Sequence, residues 1–130
     1  MADIQQTLHL FSFGEPSPAD GSTQVRINQT VPAGKKWFLS FGQAYCEKFA
    51  GAAPNPAQLQ VYFTTDLSGS HQRFFISAHE TGNGIHTVNE FVGVWLPAGK
   101  QLQGKTVLAT GSTAADFRYN MSMIVHEFNA

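Results

Sequence analysis

The chain has 130 residues, 42% of them hydrophobic and only 13% charged, with a formal net charge of −1. That length fits one domain, residues 1–130, with a sizeable core, and the charge balance leaves no electrostatic footprint for nucleic acid. No apolar run approaches the ~20 residues that span a bilayer, and Met1 to Gln6 lacks the basic and apolar regions of a secretory leader, so folding in a cytoplasm is expected, with no membrane partner.

Residues 1–6 read as a flexible arm that orders on binding. Thr7 to Phe13 then forms a strand-like run, ended by Gly14, Pro16 and Pro18. Val25 and Ile27 alternate with Arg26 and Asn28, and Val31 keeps their phase. Trp37, Leu39 and Phe41 are predicted to share one face of the next strand. Phe38 lies on the other, which suggests a strand covered on both sides. Residues 43–50 are read as extending that strand, and Gly51 to Pro56 as the longest irregular stretch. Leu59 to Phe63 is the next strand, with a turn over Asp66 to Ser70.

Arg73 to Ala78 follows, and Thr81 to Gly84 is a tight-turn signal. Ile85 to Val94 alternates less cleanly and leads into Trp95. Lys105 to Thr110 and Phe117 to Phe128 complete the series. In the last, Tyr119, Met121, Met123 and Val125 make one apolar row. No segment has ten residues at helical spacing. About 8–10 short strands separated by turns define an all-β, antiparallel sandwich.

A four-residue motif is repeated: Pro32-Ala33-Gly34-Lys35 and Pro97-Ala98-Gly99-Lys100, 65 positions apart. Pro presets φ for a turn, and Gly accepts the positive φ that follows. Pro32, Gly34, Pro97 and Gly99 are therefore expected as structural turns. Each is read as a type I turn with a small bulge joining antiparallel strands. Two similarly built β halves around one core favour a jelly roll.

Catalytic chemistry finds little footing. There is no Gly-x-Ser-x-Gly elbow, and the single cysteine, Cys46, sits in an apolar stretch suited to burial. His79, Glu80 and His86 flank a glycine turn, but their spacing matches no zinc-finger or HExxH pattern. Neither a metal nor another cofactor is expected, and no enzyme activity. Pro97-Ala98-Gly99 resembles the turn in the second motif of the cupins. That family's His-x-His has no counterpart, and its ligand three residues after the turn glycine is Leu102 here, so cupin metal chemistry is not implied.

Aromatic residues with a polar handle offer the better binding argument. Trp37 is expected in the core, while Trp95, just before a turn, is expected at a rim or interface. Tyr45, Asn83 and His86 join it as candidate binding residues. Exposed aromatics beside Asn83, Asn89, Gln101 or Asn120 would also suit a glycan, which gives a carbohydrate-binding module or adhesin as the alternative function.

The turn-punctuated short strands, leaderless start and charge-poor exterior resemble small β-sandwich accessory proteins of tailed-phage virions, such as head decoration and fibre-associated proteins. The resemblance implies a non-enzymatic virion protein, assembled in the host cytoplasm. Its partners would be a capsid or tail protein lattice and copies of itself.

Overall fold

A computed structural model describes residues 3–51, 58–66, 72–79 and 84–130, with residues 72–79 described as backbone alone. Among the described residues there are eight strands: β1 (Ile4–Gly14), β2 (Thr23–Thr30), β3 (Lys35–Lys48), β4 (Leu59–Thr65), β5 (Gln72–His79), β6 (Gly84–Leu96), β7 (Gln101–Leu108) and β8 (Phe117–Asn129). The one helical element among the described residues is a single 3-10 turn, Ala114–Asp116. The strands form two four-stranded antiparallel sheets, sheet A ordered β1-β8-β3-β6 and sheet B ordered β2-β7-β4-β5. This interleaved order defines the all-β sandwich as a jelly roll.

The inner faces meet over Trp37, Leu39, Leu59, Val61, Phe63, Leu102, Leu108, Phe117, Met121, Met123 and Val125, all nearly or fully buried. The predicted row Tyr119, Met121, Met123 and Val125 points inward as expected, and Cys46 is buried beside it. Gly104 is also an inward position. A Cβ there would collide with Met121 Sδ and lie 3.2 Å from Phe63 Cε1, so a side chain at this position would crowd the space between the sheets.

The two PAGK segments are corners rather than hairpin turns. β2 pairs with β7, and β3 pairs with β8 and β6, so neither corner joins hydrogen-bonded neighbours. One carries the chain from sheet B to sheet A and the other carries it back. Lys35 N–H donates to Pro32 O at 3.1 Å and Lys100 N–H to Pro97 O at 3.2 Å, which makes proline the first residue of each turn. Gly34 and Gly99, third in the turn, have φ of 75° and 86°, the type II arrangement instead of the expected type I. Because β2 and β7 are neighbours, the corners lie side by side. Gly99 N–H donates to Val31 O, and Val31 N–H to Lys100 O, both at 2.9 Å.

Three further expectations are corrected. The expected arm at residues 1–6 is strand from Ile4 onward, because β8 offers those residues a partner and the Gln6 amide bonds Glu127 at 2.9 Å. The seventh strand starts at Gln101, not Lys105. Its inward positions Gly104 and Thr106 lack the apolar signature that Leu102 and Leu108 carry. Phe41 does not share a face with Trp37 and Leu39. The register shifts between Leu39 and Phe41 against both neighbouring strands, which identifies Ser40 as a bulge residue. Its hydroxyl donates to Ile124 O at 3.1 Å. Beyond the bulge the phase is inverted: Gly42, Ala44, Cys46 and Lys48 turn inward, and Phe41 turns out. The turn read over Asp66 to Ser70 and the irregular stretch 51–56 lie mostly outside the described residues.

Candidate functional site

The Ser40 bulge brings an aromatic population to the outer face of sheet A. Before it, Lys36 and Phe38 point outward; after it, Phe41, Gln43, Tyr45 and Glu47 do. The cross-strand register arranges that face in rows. One row runs Thr7, His126, Phe38, Trp95, and the next His9, Ile124, Phe41, Phe91. Then come Phe11, Ser122, Gln43, Asn89 and, below them, Phe13, Asn120, Tyr45, Thr87.

Two aromatic groups stand out within these rows. On the β3–β6–β8 side, Phe38 lies 4.9 Å from Trp95 and 6.2 Å from Phe91, and Phe128 lies 5.1 Å from Trp95. On the β1 side, Phe11 and Phe13 stack at 6.2 Å with nearly parallel rings, and His9 tilts against Phe11 at 5.6 Å. Ile124 and Phe41 bridge the groups. Phe11, Phe13, Phe41, Phe91 and Trp95 are 59%, 68%, 43%, 71% and 48% exposed. Gly93 shapes the outermost of these rings. Its φ is 70°, and a Cβ there would sit 2.8 Å from Phe91 Cε1, so its bare backbone lets that ring lie back across β6.

Charge on this face is sparse and placed at its ends. Lys36 holds its ammonium 5.2 Å over the Trp95 ring. At the far end of β3, Glu47 is paired across strands with Arg118 and accepts a 2.6 Å hydrogen bond from Tyr45 Oη. That bond is the main cause that raises the Tyr45 phenol above its ordinary value. Between Phe11 and Phe13 and the polar side chains of Gln43, Asn120 and Ser122 lies a shallow cleft of about 300 Å³.

The outer face of sheet B contrasts with this. Its described side chains include Thr23, Asn28, Thr30, Gln60, Gln101, Gln103 and Lys105 beside a buried Tyr62 and a half-buried Val107, and Val25 is the one large apolar residue among them that is exposed.

Of the residues singled out by sequence, Trp95 and Tyr45 are on the outer face of sheet A. Trp95 is on edge strand β6, where Lys36, Phe38 and Phe128 surround its ring and leave less of it open to a sugar. His86 lies on edge strand β6 opposite Cys46, one step out of phase with the aromatic rows. Asn83 and Glu80 lie outside the described residues, as does the side chain of His79. Among the described residues, no three His, Cys, Asp or Glu side chains gather as a metal site, and no helix is long and apolar enough to cross a membrane.

The sequence reading missed Phe11, Phe13, Phe41 and Phe91 as site residues. A signal existed for two of them. Leu8 and Leu10 occupy one phase of β1, while Phe11 and Phe13 occupy the other, and a strand apolar on both phases is one whose second face has something to cover it.

No protein-family model matches this chain, and no curated protein matches it. Among solved structures it is similar to murine APRIL, with a TM-score of 0.40 and 9% identity over 88% of this chain and 98% of that one. It is also similar to the chain of the T13 particle of infectious bursal disease virus (IBDV), with a TM-score of 0.43 and 9% identity over 98% of this chain. The VP2 subviral particle of the same virus gives a TM-score of 0.39 at 9% identity over 97% of this chain. The chain spans about a third of the length of those viral chains, 32% and 33%.

Proposed function

We propose that this chain is a non-enzymatic structural or accessory protein of a virion, one that decorates or stabilises a capsid or tail assembly through protein–protein contacts. The observation that carries the reading is the asymmetry between the two outer faces. Among the described residues, the outer face of sheet B presents mainly amides and hydroxyls, with Val25 its one large exposed apolar side chain, while that of sheet A presents five partly exposed aromatic side chains with charge only at its ends. Such rings gain free energy when another protein removes them from water, at roughly 25 cal/mol per Å² of apolar surface. Because so little of that energy is electrostatic, contacts of this kind persist as salt changes. The virion setting draws on the resemblance of the sequence to phage accessory β-sandwich proteins.

Density-gradient sedimentation of particles from the native host tests the reading. The protein should travel with intact particles in a fixed ratio to their lattice protein. If all of it stays at the top of the gradient while particles form normally, the proposal is wrong.

A further inference from the structure

We infer that the aromatic outer face of sheet A is covered by another copy of this chain, so that the functional unit is a closed homo-oligomer. This rests on the accessory-protein reading and names the partner that meets this face.

Area is the first argument. At 150–250 Å² per aromatic side chain, the five exposed rings present on the order of 550 Å². That reaches the top of the ~300–600 Å² expected for the largest apolar patch of a monomer. Ile4, half exposed, borders Phe128 on the same face, and the intervening polar residues widen the patch further. The whole face then approaches the ~800 Å² that each partner contributes to a standard interface.

Charge favours a second copy. A face built for a foreign, strongly charged lattice would carry the opposite charge, and this one carries almost none at its centre. Its cation Lys36 and its carboxylate Glu47 lie at opposite ends of the same strand. A second copy laid across it with its strands reversed brings Lys36 toward the other Glu47 and Arg118 toward the other Phe128. It meets no like charge. On the edge strands large side chains also face small or polar ones in that arrangement: the rows holding Phe91 and Trp95 on β6 oppose those holding Asn89 and Thr87, while on β3 Phe38 meets the other Tyr45. The face is complementary to itself in charge and, along its edge strands, in bulk, as closed symmetry requires.

The test is the molar mass of the purified protein by light scattering at about 100 µM, well above the dissociation constants usual for an interface of this size. The wild type should give a whole multiple of the monomer mass. Phe41→Thr/Phe91→Thr should give the monomer, with an unchanged circular dichroism spectrum as the check on folding. Val25→Thr, on the outer face of sheet B, should leave the multimer intact. A monomeric wild type overturns the inference, as does a multimer that survives the double substitution with its fold preserved. A wild type that is monomeric in solution yet travels with native particles removes this inference alone and leaves the accessory role standing. Absence from particles removes that role instead.

Discussion

Trp37 and Glu127 are joined inside the sandwich: the indole Nε1–H donates to Glu127 Oε2 at 2.9 Å, and both residues are nearly buried. Gln6 donates to the other carboxylate oxygen from β1, also at 2.9 Å. Three strands of sheet A are thus tied through one acidic side chain, which explains how a carboxylate is tolerated at an inward position.

The Trp37 hydrogen bond is the largest influence on Glu127 and holds its carboxyl below the ordinary value of 4.5. Burial opposes this, while Gln6 and the charge of Lys35 assist it. A depressed folded-state value means that the ionised group stabilises the fold above pH 4.5, and that this contribution fades as pH falls through the folded value. Glu127→Gln should therefore be less stable than wild type at pH 7, and the two denaturation curves should converge on acidification below pH 4.5. A gap that stays constant from pH 7 to acid would show that the charge contributes nothing.

Trp37→Phe preserves most of the ring but leaves Glu127 Oε2 without its indole donor. The expected loss is about 1–3 kcal/mol, the cost of an unpaired buried acceptor. Urea denaturation measures it, and the deficit should shrink when Glu127→Gln is combined with it, because the two changes break the same bond.

Gly34→Val and Gly99→Val should each cost about 1–2 kcal/mol from the left-handed backbone alone. A Cβ at either position meets nothing within 4 Å. Asparagine, which tolerates positive φ, should therefore recover much of the stability at both sites. Equal losses for valine and asparagine in thermal melts would point to crowding rather than conformation.

Gly104→Ala isolates the other reason for a glycine. Here the added methyl meets Met121, Phe63 and Ile27, and overpacking of this kind costs about 1–3 kcal/mol. A Met121→Val background should reduce the penalty by making room. An additive pair of losses would contradict that contact.

The strand class was legible because Tyr119, Met121, Met123 and Val125 keep a period of two along β8, and because turn residues recur at short intervals. The PAGK segments were legible as bends, since Pro and Gly act locally. Which strands they join was not, because a four-residue turn does not reveal that β2 pairs with β7 instead of β3. The site was obscured by one residue. Ser40 adds a position that periodicity cannot see, and everything after it in β3 changes face. Phe41 accordingly reads as core in sequence and stands outside in the fold. Phe11 and Phe13 carried the same message openly, as the larger apolar residues on the phase opposite Leu8 and Leu10.

Collisional quenching of tryptophan fluorescence distinguishes a covered aromatic face from a bare one, because the chain has two tryptophans and Trp37 is 2% exposed against 48% for Trp95. Quenching by acrylamide thus reports on Trp95, on the aromatic face. If that face is a protein contact, Trp95 should be shielded at high protein concentration and become quenchable on dilution or in Phe41→Thr/Phe91→Thr. A Trp95 equally open to quencher at every concentration and on the native particle would mean that nothing docks there.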